Sequence, residues 1–345
     1  MTTQHLSPLT MLLSRHTRRR AFITLLGGAA AWPLAARAQS ERVRRIGVMI
    51  ALPEGDPELK KWLAAFRQAL ERLGWSQSRN IHLDYRFTPA GAHAQELAKE
   101  LLALQPDVIL AFSTPVTAAF QRETRTVPIV FIGIADAVGQ GFVPSLMHPG
   151  GNLTGLTMYE ASVTGKWLEM LKEIQPQLAR AAFVVNPKTA PYYDFYMRGA
   201  KSVAPSLAIE PVLTPIQNDA VEIGRAIATF ARAIPKGGLV VPGDSTTNAH
   251  RDLIVSLAAQ HRLPAVYTNE FFVTAGGLMS YGVDWVNEFG QAAFYVDRIL
   301  RGANPNDLPV QAATKFVTAL NVKTAKALGL AVPPGLLVAA DKVIE

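Results

Sequence analysis

The sequence predicts an α/β protein of two doubly wound parallel-sheet lobes joined by a hinge. Three observations predict it. Short apolar runs rich in Val and Ile alternate with amphipathic helical segments, as in a parallel sheet covered on both faces. The alternation restarts after Glu160, giving two consecutive units of roughly 110–120 residues each, an ordinary domain size. Two glycine-rich stretches, Gly150–Gly155 and Gly276–Gly282, fit a chain that leaves the first lobe, builds the second and returns.

The elements follow in order. Arg45–Ile50 is an apolar run of strand length that stops at Pro53-Glu54-Gly55-Asp56-Pro57. Leu59, Trp62, Leu63, Phe66, Ala69, Leu70 and Leu73 then recur at helical spacing, and Gly74 closes that helix. Ile81–Arg86 alternates like a strand with one wet face, and Leu97–Leu104 is an amphipathic helix. Pro106–Ala111 and Val127–Ile132 read as buried strands. In the second unit a helix over Val163–Gln175 precedes a strand at Ala181–Val185. Further strands are expected at Ile209–Leu213, Gly238–Val241 and Ala265–Tyr267, with helices near Pro191–Val203, Ala220–Ala233 and Thr246–Ala259 between them. A helix over Asn287–Leu300 returns to cover the first sheet. The first lobe is therefore expected at 41–157 plus about 283–312, and the second at 158–282 plus about 313–345. The apolar pattern does not decide where the tail after Val310 belongs. Trp62, Phe66 and Trp167 have helical-spacing neighbours and read as core.

An export signal precedes all of this. Arg18, Arg19 and Arg20 stand before an apolar stretch over Ala21–Ala36, and Ala36-Arg37-Ala38 is a small-x-small cleavage site. The stretch is broken by Gly27, Gly28 and Pro33 and falls short of the ~18 apolar residues a span needs. Arg19-Arg20-Ala21-Phe22-Ile23 fits the twin-arginine (Tat) core, with an ordinary secretory signal as the alternative. No Cys follows the cleavage site, so the expected mature chain begins at Gln39, carries no lipid anchor there and is periplasmic.

Composition narrows the function. The formal charge is +7, but the 38-residue leader holds five Arg and no acid. The remaining 29 Lys and Arg face 27 Asp and Glu, so no basic-patch argument for nucleic acid survives. The absence of Cys removes disulfides, thiol catalysis and zinc–thiolate sites together. The five His of the mature chain show no metal-ligand spacing, there is no G-x-S-x-G elbow, and Gly150–Gly155 matches no phosphate-binding loop. No catalytic residues, metal or cofactor are expected.

Binding residues have a positional logic instead, because ligands of open α/β sheets sit beyond the carboxyl ends of the strands. Ser113 or Thr114 follows the strand ending at Ala111; either can cap a helix, or face an anion together with that helix's free N–H groups. Ala135 and Asp136 follow the next strand, and Asp136 is an ammonium partner or a surface turn acid. Asn186, Tyr192 and Tyr193 follow Val185; the tyrosine pair is a stacking wall for a flat apolar ligand or ordinary packing. Asp244 or Ser245 is an N-cap candidate that also faces the cleft, and Tyr281 lies at the second glycine-rich crossing.

Several blocks together resemble a known family. They are the leader from Arg19 through Gln39, His148-Pro149-Gly150-Gly151-Asn152-Leu153-Thr154-Gly155, Gly276–Gly282, Tyr295–Ala303 and Asn321–Leu330. Across its whole length the chain resembles exported ABC-transporter substrate-binding proteins of the tryptophan/tyrosine type. The resemblance implies a type I periplasmic-binding fold, with two lobes, a hinge of a few strands and a ligand cleft between. The expected protein is a monomer that binds a small molecule, an amino acid or aromatic carboxylate, and delivers it to an ABC permease by hinge closure. A sensory receptor on the same fold is the alternative, and an exported enzyme a remoter one. Two departures fall at the proposed cleft: Ser113-Thr114 where the family usually has Gly-Thr, and Asp136-Ala137-Val138 where it has Asp-Pro-Val.

Overall fold

The computed structural model describes residues 42–345 apart from 78, 159–161 and 235. The twin arginines Arg19 and Arg20 and the cleavage point expected after Ala38 lie outside the described residues. The first unit runs β1 (Arg44–Ile50), α1 (Pro57–Arg72), β2 (Ile81–Phe87), a 3-10 turn (Pro89–Gly91), α2 (Ala94–Ala103), β3 (Val108–Phe112), α3 (Thr114–Glu123), β4 (Ile129–Ile134) and β5 (Leu153–Thr157). The second runs α4 (Val163–Ile174), β6 (Arg180–Val185), α5 (Tyr193–Leu207), β7 (Glu210–Pro215), α6 (Ala220–Ala233), β8 (Gly238–Val241), α7 (Ser245–Ala249), α8 (Arg251–Gln260), β9 (Ala265–Tyr267), α9 (Glu270–Thr274) and β10 (Met279–Val283). The chain ends with α10 (Trp285–Leu300), β11 (Gln311–Ala312), β12 (Phe316–Asn321), α11 (Val322–Ala327), α12 (Pro334–Ala339) and β13 (Lys342–Ile344).

Two sheets result, one in each lobe. The first has the order β11-β5-β4-β3-β1-β2 and the second β13-β12-β10-β9-β8-β6-β7. Each contains the same five-strand pattern: the second strand of the unit outside the first, then the third, fourth and fifth. The topological switch point therefore falls between β1 and β3 in one sheet and between β6 and β8 in the other. Ligands of doubly wound sheets bind at that point. Pairing is parallel except for β10 with β12. β3 and β4 are buried along their whole length, which is why they read as continuous apolar runs. Helix α1 shows how sequence sets a boundary. Asp56 accepts from the N–H groups of Glu58 and Leu59, Pro57 stands in the first turn, and Leu59, Trp62, Leu63, Phe66, Ala69 and Leu70 form the buried stripe.

Two readings change, and the tail left open finds its strands. Gly150–Gly155 is a turn and the start of a strand, not the crossing between lobes: the chain turns at Gly150 and becomes β5 at Leu153. Gly155 has φ +149° and lies so close to the Phe131 backbone that a Cβ would collide with it. The helix expected over Thr246–Ala259 is two helices parted at His250. The tail makes a third crossing between the sheets. Residue Ala312 of β11 pairs with Thr157 in the first sheet, whereas β12 pairs with β10 in the second. All three crossings lie side by side. The Ala313 N–H donates to the Thr157 carbonyl at 2.9 Å, the Asp284 N–H to the Lys315 carbonyl at 3.0 Å, and Lys315 and Asp284 form an ion pair at 2.9 Å. Among the described residues no helix is long and apolar enough to cross a membrane.

Candidate functional site

The carboxyl ends of the two sheets face one another across a small cavity. It is lined from the first lobe by Ala51, Phe112, Ser113, Thr114 and Gly133, from the crossings by Met158 and Trp285, and from the second lobe by Thr189, Tyr192, Gly243, Asp244, Ser245, Asn248 and Asn269. As the lobes stand it has room for little more than a water molecule.

The first lip is the turn from β3 into α3. Ser113 has φ +94° and ψ 158°, a region essentially reserved for glycine. Its backbone is pinned on both sides. Its N–H donates to the Ile132 carbonyl at 3.0 Å, and its carbonyl accepts the Thr117 N–H at 3.0 Å and the Thr117 hydroxyl at 2.9 Å. Neither Ser113 nor Thr114 caps α3 with its side chain. Both hydroxyls are buried, at 8% and 5% residue exposure, and neither has a hydrogen-bond partner. Pro115 in the first turn has no N–H, so Thr114 and Val116 supply that turn's free donors.

The second lip is the turn from β8 into α7, and it is the reverse. Asp244 caps α7: its Oδ1 accepts from the Thr246 N–H at 2.6 Å, the Thr247 N–H at 3.0 Å and the Thr189 hydroxyl at 2.9 Å. The Asp244 N–H donates to Thr247 Oγ1 at 3.0 Å, which completes a capping box. Asp244 Oδ2 has only a long contact, 3.5 Å, from the Asn186 N–H. Burial pushes the Asp244 carboxyl up from 3.8 to about 6, against the pull of these hydrogen bonds. Ser245 beside it is 4% exposed, and its hydroxyl has no partner.

Aromatic rings form the rest of the wall. Trp285 meets Phe112 edge-on at 5.2 Å, and Trp62 lies 5.6 Å from each. Trp285 Nε1 donates to Asn269 Oδ1 at 2.5 Å, and Asn269 Nδ2 to Asn248 Oδ1 at 3.1 Å. The Tyr192 hydroxyl donates to the Gly243 carbonyl at 3.3 Å. Among the described residues no Lys, Arg or His lines the cavity, and Asp244 is the one carboxylate that does. Among the described residues no group of three or more His, Asp or Glu is placed to hold a metal ion.

Of the ten residues singled out in the sequence, Ser113, Thr114, Tyr192, Asp244 and Ser245 line this cavity. Five do not. Ala135 is buried in the core at the end of β4. Asp136 holds its own turn, accepting the Gly139 N–H at 2.7 Å, so the turn-acid alternative is the one seen. Asn186 spends its amide on Thr246 and on the Lys188 N–H, and supports the Asp244 lip from behind. Tyr193 opens α5 and packs half-buried on the core, turned away from Tyr192 by one helical step. Tyr281 lies in β10, stacked on Phe316 at 5.4 Å. The reading missed Phe112, Met158, Thr189, Asn248, Asn269 and Trp285. The strand-end rule would have found Asn269 had it been applied to Ala265–Tyr267, and Met158 had β5 been read as a strand.

The lobes also touch outside the cavity. Arg251 at the start of α8 pairs with Asp56 at the start of α1 at 2.8 Å, and its guanidinium lies 5.2 Å from the Phe271 ring. The 3-10 turn Pro89–Gly91 packs on α7.

Residues 46–344 match the family model described as ABC transporter substrate binding protein. A curated relative from Clostridioides difficile (strain R20291), named tyrosine-binding protein, is 25% identical over 295 residues, covering 85% of this chain and 83% of its own. Among solved structures, a conserved domain protein from Vibrio cholerae O1 biovar El Tor superposes with TM-score 0.80 at 26% identity, covering 88% of this chain and 100% of that one. A Streptococcus pneumoniae ABC domain solved in complex with L-Trp gives TM-score 0.77 at 22% identity, covering 87% of this chain and 99% of that one.

Proposed function

The chain belongs to the ABC transporter substrate binding proteins and is a solute-binding receptor for such a transporter, and we propose that its ligand is an aromatic amino acid or a closely related aromatic carboxylate. One observation carries this reading: three buried hydroxyls without partners, those of Ser113, Thr114 and Ser245, converge from both lobes on one cavity. Buried polar groups are almost always hydrogen-bonded, so these await a partner from outside the protein.

The cavity's chemistry suits a zwitterion. A carboxylate sits on the Ser113 and Thr114 hydroxyls and the first-turn N–H groups of α3, where the helix dipole favours negative charge. The ammonium goes to Asp244 Oδ2, the carboxylate oxygen with capacity to spare. Phe112, Tyr192 and Trp285 enclose the ring. With Asp244 ionised and paired to the ammonium, the one net negative charge left is the ligand carboxylate, which the two hydroxyls and the N-terminus of α3 hold. The relative named tyrosine-binding protein and the structure in complex with L-Trp support this ligand class.

Binding works by hinge closure. The lobes part at the three crossings to admit the ligand, and only a closed form, with the lips standing wider apart than around the empty cavity, lets both touch it. The ligand therefore shifts the equilibrium by its differential affinity. The lobes are 41–157 plus about 283–312, and 158–282 plus about 313–345. The receptor acts as a monomer in the periplasm, exported by the twin-arginine route with cleavage after Ala38, and hands its ligand to the permease.

The experiment is a thermal-shift screen of the mature chain against amino acids, aromatic acids, sugars and polyamines, followed by calorimetry. L-Trp, L-Tyr or L-Phe is expected to stabilise it, with a micromolar dissociation constant corresponding to about −8 kcal/mol. Preferential stabilisation by neutral sugars would overturn the reading.

A further inference from the structure

The sharpest anomaly of the cavity is Ser113. Its φ of +94° and ψ of 158° lie where only glycine is comfortable, yet a side chain is present. The hydroxyl does nothing for the fold: it caps no helix and has no partner, though its residue is 92% buried. Backbone bonds to Ile132 and Thr117 hold the strained geometry whatever side chain stands there. Gly133 with φ +76° packs under it, where a Cβ would press on the Phe112 ring and approach the Ser113 nitrogen. For folding alone, glycine is the better residue at 113. What serine adds is one O–H directed at the cavity, beside the Thr114 hydroxyl.

We propose that Ser113 is a specificity-determining residue, a strained side chain retained so that its hydroxyl reads the carboxylate of the ligand. The proposal rests on the cavity being the ligand site. Two donors on adjacent residues address the two oxygens of a carboxylate. A ligand with the same ring and ammonium but no carboxylate leaves Ser113 as unpartnered as it is in the ligand-free protein. The residue thus selects acids over the corresponding amines, in addition to any selection the ring wall makes.

The test uses the mature chain with Ser113→Gly, Ser113→Ala, Thr114→Val and Asp244→Asn. The probes are L-Trp, L-Tyr and L-Phe, each compared with its decarboxylated amine. Ser113→Gly is expected to raise the melting midpoint of the ligand-free protein by roughly 2–4 °C. Ser113→Ala, which keeps a Cβ in the strained geometry, is not. Both should weaken the amino acid by about 10- to 100-fold, the range for a hydrogen bond to a charged group. Both should leave affinity for the amine within about twofold, since the lost hydroxyl has nothing to meet there. Equal losses on acid and amine, or wild-type affinity in Ser113→Gly, would overturn the proposal. If Thr114→Val and Asp244→Asn weaken binding in that case, the ligand site stands and only the role of Ser113 falls. If no variant changes binding of any probe, or no probe binds the wild-type protein, the site reading falls as well. An unchanged or lowered midpoint in Ser113→Gly would overturn the claim that serine is retained against strain.

Discussion

The β3–α3 turn and the β8–α7 turn occupy the same position in two sheets of the same strand order, yet they are built in opposite ways. At the first, Ser113 and Thr114 leave their hydroxyls bare and α3 uncapped. At the second, Asp244 accepts from Thr246, Thr247 and Thr189 through one oxygen, and Asn186 braces it. The second half-site is braced before ligand arrives, with only Asp244 Oδ2 and the Ser245 hydroxyl left open, whereas the first keeps both of its hydroxyls bare. The braced lip fixes where a cation must sit, so little ordering remains to be done there on binding. The bare lip keeps unmet hydrogen bonds that only a ligand can satisfy. Closure without ligand is thereby penalised on the first lobe, which biases the closed state toward the loaded protein.

The comparison breaks first at Asp244. Asp244→Asn keeps an oxygen for the α7 cap but removes the charge. Truncating one partner of a buried charge pair costs roughly 2–5 kcal/mol, so affinity for an amino acid should fall by about 100-fold or more. The ligand-free protein should be no less stable, because burial already penalises the ionised carboxylate. Calorimetry and melting curves on one preparation check both halves. A destabilised fold with intact affinity would make Asp244 a structural cap and nothing else.

The bare lip should respond in the other sense. Thr114→Val removes a hydroxyl that bonds to nothing in the fold, so stability should hold or rise slightly. Affinity for the amino acid should fall by roughly 1.5–3 kcal/mol, the range for a hydrogen bond to a charged group. Equal affinity in this variant would mean that the hydroxyl reads no ligand, and the contrast between the lips would lose its functional meaning.

Acidity sharpens the same contrast. The ammonium needs Asp244 ionised, and burial holds that carboxyl at about 6 in the ligand-free protein. Below pH 6, affinity should drop by about tenfold per pH unit as the ionised fraction falls. Stability of the ligand-free protein runs the other way. A carboxyl raised from 3.8 to about 6 binds more protons folded than unfolded, so its contribution is fully present in acid and is lost as pH rises from about 4 through 6. Asp244→Asn should flatten both profiles, which titration calorimetry and melting at several pH values would show.

What the sequence disclosed follows from where each element sits. Strands such as β3 and β4 are covered on both faces and declare themselves as apolar runs. The strands feeding the crossings do not. β5 is Leu-Thr-Gly-Leu-Thr, with the Thr154 hydroxyl donating to the Leu308 carbonyl at 2.6 Å and Gly155 pressed against Phe131. β10 carries Ser280 and Gly282. Side-chain hydrogen bonds and close backbone approach there replace the aliphatic pattern that marks a strand. The strand-end rule reached the cavity where a polar residue follows the strand directly, at Ser113 and Asp244. It failed at Asp136, because β4 presents Gly133 to the cavity and the chain then turns away. It could not reach Trp285, whose ring arrives only when the chain crosses back between the sheets.

The smallest expected effect concerns the contact that ties the lips together from outside. Arg251 reaches Asp56 across the lobes at 2.8 Å and touches no residue of the cavity lining in doing so. Asp56 is 7% exposed and also caps α1, so it would keep its N–H partners if the arginine were lost. Arg251→Gln therefore removes a term that favours closure without disturbing either lip. The arginine is partly solvated, which limits the pair to about 1 kcal/mol. Apparent affinity should then weaken by about threefold to tenfold through the smaller closed population, with the acid-over-amine preference unchanged. Small-angle scattering of the ligand-free variant should show an equal or larger radius of gyration, and saturating ligand should still bring it down to the wild-type bound value. A change in ligand preference would contradict this placement, because a contact outside the cavity can alter how often the lobes meet but not what they recognise when they do.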